Sequence, residues 1–333
     1  MNSRYYVTGA AGHLGTAVVN QLADAGQRVR ALLLPGDQGA ARLPDGVEAF
    51  YGDVCDRASV GEFLAHSPKE RAVVIHAAGI VSIASKIDDH LREVNIGGTR
   101  NLLEACKRQK VDRLVHVSSV HAIPEKPAGE TIAETDRFDP ALVEGGYAKS
   151  KAEATALVLQ SASEGLNASV VHPSGILGPY DWGRGHLTQL VIDYMKGRLT
   201  SCVRGGYDFV DVRDVAAGII SCCEWGRQGE CYILSNRYYE VTEILQMLHE
   251  ITGHKAVRRV LPNWFVSLTA PLAELYYKLM RQPPLFTSYS IYTLRANALF
   301  SHEKADQELG YTTRPMRETL EDMVRWMKEN GRL

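Results

Sequence analysis

Little in this sequence suits a charged macromolecular partner. Its 37 lysines and arginines are offset by 39 aspartates and glutamates, a net charge of -2 over 333 residues. With no long basic run to gather a polyanion, nucleic acid is not an expected partner. Glycine (29 residues) and proline (13) are too sparse for a fibrous or low-complexity chain. The six cysteines, Cys55, Cys106, Cys202, Cys222, Cys223 and Cys231, are scattered without the C-x-x-C spacing of a metal site. They read as small buried residues of a reducing compartment. The chain starts directly into a short strand without the apolar stretch of a signal peptide, so a cytoplasmic location is expected. One long apolar run stands out, Leu261 to Met280, but Pro271, Glu274 and Lys278 interrupt it. An amphipathic lid or surface helix fits that run better than a membrane span, with peripheral membrane contact the lesser alternative. What remains, 45% hydrophobic and 23% charged residues, describes a globular chain of one large domain or two smaller ones.

Over the first two thirds, short apolar runs alternate with amphipathic stretches. Strands are expected at Arg4 to Thr8, Val29 to Leu34, Val73 to His76, Leu114 to Ser118 and Ser169 to His172. They are apolar at successive positions, as strands covered on both faces are. Helices are expected at His13 to Asp24, Ser59 to Leu64, Val94 to Arg108 and Tyr147 to Ser163. This is the βαβ pattern of a parallel α/β sheet. After about Pro173 the alternation degrades and glycine and aromatic residues become frequent, as in Gly178-Pro179-Tyr180-Asp181-Trp182-Gly183. Residues 1–172 are expected to form the dinucleotide-binding core. Residues 173–333 would supply mainly a smaller substrate-binding lobe, with some segments returning to the core.

Thr8-Gly9-Ala10-Ala11-Gly12-His13-Leu14-Gly15 follows the first strand and opens a helix. Gly9 permits a tight turn, Gly12 a close approach of backbone to a pyrophosphate, and Gly15 close packing of helix on strand. The helix N-terminus offers N–H groups to phosphate. Its G-x-x-G-x-x-G spacing resembles the short-chain dehydrogenases/reductases, and the length points to their extended branch, the NAD-dependent epimerases and dehydratases. Further stretches carry the resemblance: Gly52-Asp53-Val54, His76-Ala77-Ala78-Gly79, and Asn95 in Val94-Asn95-Ile96-Gly97-Gly98-Thr99. It implies a Rossmann-type doubly wound sheet. It also implies a cofactor site made by Gly9, Ala11, Gly12, His13, Leu14, Gly15, Leu34, Asp53, Val54, Ala77, Ala78, Gly79, Asn95, Ser118, Tyr147, Lys151, Pro173, Gly175 and Ile176. The positions that distinguish NAD from NADP fall on Leu33 and Leu34. Asp37 can reach a ribose and Arg42 a phosphate, and NAD is preferred over NADP.

Tyr147-Ala148-Lys149-Ser150-Lys151 places a tyrosine and a lysine four apart, on one face of a helix. A neighbouring ammonium favours the phenolate of a tyrosine, whose ordinary pKa of about 10 makes it a poor base near neutrality. Ser118-Ser119 closes the strand before it. The resemblance assigns the catalytic roles to Ser119, Tyr147 and Lys151, with Ser118 the competing hydroxyl. It implies proton exchange at Tyr147 and hydride transfer to or from a nicotinamide. His172-Pro173-Ser174-Gly175-Ile176-Leu177-Gly178-Pro179 resembles the segment that meets the nicotinamide, with His172 where the family more often has Arg. Asp211 and Arg213 read as an ion pair or cap.

The tail from Pro284, with Pro284-Leu285-Phe286-Thr287, Phe300 to Ala305 and Glu308-Leu309-Gly310-Tyr311, is similar to that of the 3β-hydroxysteroid dehydrogenase and dihydroflavonol reductase groups. It implies an apolar alcohol or ketone substrate, such as a sterol or related polycyclic compound. Two alternatives stay open: a nucleotide-sugar 4-epimerase with tightly held NAD, and a dinucleotide-sensing regulator without turnover. The resemblance also implies a homodimer. His249-Glu250-Ile251-Thr252-Gly253-His254 has the wrong spacing for the zinc motif H-E-x-x-H, and no metal is expected. His13 and His121 read as ordinary polar contacts. Leu320, Met323, Val324 and Met327 form a packing stripe on a last helix, Arg317 to Glu329.

Overall fold

The computed structural model describes residues 3–82, 87–183, 185–261 and 292–333. A seven-stranded parallel sheet organises it, built from β1 (Ser3–Thr8), β2 (Arg28–Leu33), β3 (Glu48–Tyr51), β4 (Arg71–His76), β5 (Arg113–Val117), β6 (Ala168–Pro173) and β10 (Cys231–Leu234), in the order β10-β6-β5-β4-β1-β2-β3. The order reverses between β1 and β4, and the crevice at that switch is where a doubly wound sheet holds its ligand.

Both faces are covered, which is why the strands are apolar at successive positions. Tyr5, Val7, Val73, Ile75, Val115 and Val171 pack towards α1 (His13–Asp24) and α7 (Val212–Trp225). Tyr6, Val74, Leu114 and Val170 pack towards α2 (Arg57–Phe63), α4 (Thr99–Gln109) and α5 (Gly146–Ser163). The helix expected from Val94 is broken at its start. Residues Glu93–Gly98 form a wider π turn, and regular α-helix begins only at Thr99. Such a turn presents a side chain out of helical register, and here it carries Asn95.

The segment after β6 turns out of the main sheet. β7 (Gly175–Leu177), β9 (Gly206–Asp211) and β11 (Arg237–Glu240) form a second sheet in the order β11-β9-β7, and β8 (Cys202–Val203) pairs with β12 (Val260–Leu261). The chain nevertheless comes back: α7 covers the first sheet and β10 extends it beside β6. Asp211 caps α7 through the Arg213 amide, at 2.7 Å, and pairs with the Arg213 guanidinium. The helix Met316–Glu329 buries Leu320, Met323, Val324 and Met327, the stripe expected of it. The six cysteines are unpaired, and all but Cys55 are buried. Among the described residues no helix is long and apolar enough to cross a membrane. The apolar run from Leu261 and the stretch Pro284 to Thr287 fall, apart from Leu261 itself, outside the described residues.

Candidate functional site

The glycine loop leaves β1 and reaches α1 within four residues. Gly9 has φ +69°, and a Cβ on it would lie 2.7 Å from the backbone of Ala77 and Ala78. The loop thus lies directly against the Ala77-Ala78-Gly79 stretch that follows β4. A Cβ on Gly15 would run into the Gly9 carbonyl. Gly12 caps α1 without any side-chain hydrogen bond, so the first-turn N–H groups of His13, Leu14 and Gly15 are offered to a ligand rather than to a neighbouring side chain. Ala11 packs beside Gly39 across the start of the groove. These backbone groups fit the pyrophosphate of a dinucleotide.

At the adenosine end, the Asp37 carboxylate accepts from the Gly39 amide through one oxygen at 2.7 Å and caps the short turn Gln38–Arg42. Arg42 stacks over the Trp182 ring, 4.8 Å from its centroid. Leu34, 54% exposed, presents an apolar side chain just past β2. Asp53 accepts from the Cys55 amide at 2.8 Å, and Val54 packs under Gly98. His13 reaches across the groove to the Pro179 carbonyl, with Nε2 at 2.9 Å. This is a polar contact, and it ties the glycine loop to the segment after β7.

At the far end of the groove, the first turns of α5 bring Tyr147 and Lys151 to the carboxyl edge of β5. The two neighbouring serines part there. Ser118 Oγ lies 2.7 Å from Thr155 Oγ1 and is buried behind α5, whereas the Ser119 hydroxyl accepts from the His121 amide at 3.3 Å and lies near enough to the Tyr147 phenol to lower its pKa. Strand geometry causes this, since successive side chains point to opposite faces. Burial pushes the Tyr147 phenol up to about 12, and the Ser119 hydroxyl works against that rise. Burial brings the Lys151 ammonium down to about 8. Lys151 Nζ donates to the Val117 carbonyl at 2.9 Å, and a Cβ on Gly79 would stand 3.2 Å from it. Asn95 holds this corner together, accepting from the Ile80 amide at 2.8 Å and donating to the Ile80 carbonyl and to Ser150 Oγ, each at 3.0 Å.

Pro173 ends β6 and Gly175 and Ile176 open β7 on the opposite wall, where Ser174 Oγ donates to Asp208 at 2.5 Å. His172 is fully buried and uncharged, its pKa lowered to about 4 by burial. The ionic role that Arg would play at this position is therefore absent. Beyond Tyr147 opens a cleft whose walls include Val120, Ile123, Ile132, Val143, Tyr207 and Phe300, with His121, Glu125, Glu144, Thr293 and Asn297 as polar members. His121 stacks on Tyr207, ring centroids 5.4 Å apart, and meets the edge of the Tyr147 ring at 6.2 Å. Sequence reading passed over Tyr207 and Ile132, because no short motif joins them, and took Phe300 only as part of the tail. Only the bridge between Ile132 and Phe300 brings the last two together. Elsewhere, Gly253, in the left-handed conformation, ends α8 (Val241–Thr252), and the His249 ring bonds the His254 carbonyl.

Comparison with known proteins agrees with this geometry. The model of the NAD dependent epimerase/dehydratase family matches residues 5–235. The sterol demethylase protein B of Methylococcus capsulatus is 33% identical over 331 residues, covering 98% of each chain. A putative dihydroflavonol 4-reductase of Synechocystis is 28% identical, covering 98% of this chain and 95% of its own. Among solved structures, that of gox2253 superposes over the full length of both chains with a TM-score of 0.85 and 29% identity. With its glycine loop, its Tyr-x-x-x-Lys helix and a family match over more than half its length, the chain belongs to the NAD-dependent epimerase/dehydratase family of extended short-chain dehydrogenases/reductases.

Proposed function

We propose that this enzyme interconverts a secondary alcohol and a ketone on an apolar, sterol-like molecule. The observation that carries the reading is the placement of Ser119, Tyr147 and Lys151 at the carboxyl edge of β5, next to a cleft in which the apolar side chains of Val120, Ile123, Ile132, Val143 and Phe300 alternate with polar ones. A bound nicotinamide supplies the hydride acceptor or donor. In the oxidation direction Ser119 Oγ hydrogen-bonds the substrate oxygen and holds it against Tyr147, which takes the hydroxyl proton at its phenolic oxygen. In reduction Tyr147 returns that proton. A buried phenol held at about 12 is a weak acid, so it needs a nearby positive charge as the proton leaves. Lys151 is the ammonium on the same helix face, and it also orients the nicotinamide ribose. Ser119 is the acting hydroxyl in this reading, because Ser118 is spent on Thr155.

The sterol-related name of the Methylococcus relative supports an apolar polycyclic substrate over a nucleotide sugar. So does the cleft, whose carboxylates Glu125 and Glu144 would repel a diphosphate. The deciding experiment is a panel of 3-hydroxysteroids, 3-ketosteroids, dihydroflavonols and UDP-sugars assayed with NAD(H), following absorbance at the nicotinamide band. Turnover of the apolar alcohols or ketones is expected. Interconversion of UDP-sugars without them would replace this reading with epimerisation, and measurable NAD binding with no turnover of any member would replace it with a sensing role.

A further inference from the structure

We propose that His172 is a positioning residue for the reacting hydroxyl, holding the turn that carries Ser119 against Tyr147. The inference rests on the alcohol–ketone reading of the same site. The parallel pairing of β5 with β6 ends with the Ser118 amide donating to the Val171 carbonyl at 2.8 Å. One residue further, where β5 has left the ladder, His172 Nδ1 stands 2.9 Å from the Ser119 carbonyl. A carbonyl only accepts, so Nδ1 carries the proton, and a side chain continues the pairing that the backbone has stopped making. Ser119 is extended, with φ -161° and ψ 153°, and this bond together with the Ala122 amide at 3.0 Å is what fixes its carbonyl.

The ring itself is immobilised. It lies parallel to Phe138, interplanar angle 3° and centroids 5.1 Å apart. Pro173 follows it, and Ser174 is anchored on Asp208. The other nitrogen, Nε2, is buried without a hydrogen-bond partner. An unpaired buried acceptor is a cost that an apolar ring in the same stack would avoid. Packing alone therefore favours phenylalanine here, and the Nδ1 donor is what histidine adds.

Three measurements decide the matter. His172→Phe keeps the stack and removes the donor. It is expected to lower kcat by about tenfold or more, because small misplacements of a reacting group are costly, while substrate KM and the NAD dissociation constant stay within about twofold. His172→Asn, whose amide nitrogen falls near the Nδ1 position, is expected to recover much of the loss. In a Ser119→Ala background, His172→Phe is expected to change kcat no further, since its effect passes through Ser119. An unchanged kcat in His172→Phe, or a full additional loss on top of Ser119→Ala, would overturn the proposal. A fourth readout needs neither variant nor turnover: nitrogen NMR of the histidine rings in the wild-type protein should find His172 protonated on Nδ1 and bare on Nε2 across neutral pH. The opposite tautomer refutes the positioning role and leaves the alcohol–ketone reading standing. Failure of the substrate panel with the Nδ1 tautomer intact overturns the reading, and the role built on it, while confirming the bond.

Discussion

The dinucleotide groove and the cleft proposed for the substrate lie on either side of Tyr147, yet they are built in different ways. The groove is made largely of backbone. Gly9, Gly12, Gly15 and Gly79 clear space, and the amides at the start of α1 face outward. The cleft is made of side chains drawn from distant parts of the chain, with Ile132, Val143, Tyr207 and Phe300 meeting only after folding. A backbone site demands particular residue types at close spacing, because only glycine adopts those angles and admits those approaches. An apolar wall demands only volume, which many sequences supply. A site of the first kind can be read from a short motif, whereas one of the second kind cannot.

That contrast can be tested by perturbing each side separately. The largest effect is expected at the junction: Tyr147→Phe should lower turnover by about a thousandfold, the usual worth of a positioned acid or base, with NAD affinity unchanged by fluorescence titration. Comparable turnover in the variant would remove Tyr147 from the chemistry. Next comes Gly15→Ala on the groove side. Its added methyl would meet the Gly9 carbonyl, and backbone cannot swing aside. A loss of about 2 kcal/mol of stability is expected, as for other overpacked sites, along with NAD binding weakened by about tenfold or more. An alanine variant that binds NAD normally would show that this close approach does not shape the groove.

A stability effect of opposite sign is expected at Lys151. Burial lowers its pKa from 10.5 to about 8, so the folded protein disfavours the ammonium and stability should rise with pH between about 8 and 10.5. That penalty is about 3 kcal/mol at neutral pH. Lys151→Met relieves it and gives up the bond to the Val117 carbonyl, a loss of about 1 kcal/mol. The variant should therefore be inactive yet more stable, by about 2 kcal/mol in a denaturant titration at pH 7. A less stable variant would mean that the ammonium is better compensated than its burial implies. In the wild type, ketone reduction should be flat from pH 6 to 7.5 and fall above about 8 as Lys151 loses its charge. Tyr147, held near 12, stays protonated throughout.

Legibility in the sequence follows the same division. Five strands and four helices of the main sheet lie within a few residues of where periodicity places them, because burial on both faces leaves an unbroken apolar signature, whereas β3, β10 and α7 were not placed. The π turn at Glu93–Gly98 was not legible, since a wider turn is composed of the same residue types as an ordinary one. The cap made by Asp37 was not legible for a different reason. A carboxylate one residue past a glycine can serve a ribose, cap a turn or do both, and its bond to the Gly39 amide is chosen by local backbone geometry. For Ser118 and Ser119, sequence left the reacting hydroxyl open. The alternation of faces along the extended backbone just past β5 sends the first to Thr155 and turns the second towards Tyr147.

By itself, then, the sequence determined the sheet, the glycine loop and the Tyr–Lys pair, because each depends on contacts within a few residues or on the burial pattern of a single element. Tertiary structure alone decided which serine faces the phenol, that His172 grips the Ser119 carbonyl, and which apolar groups wall the cleft. These depend on strands and loops far apart in the chain, and no local spacing encodes the distance between them.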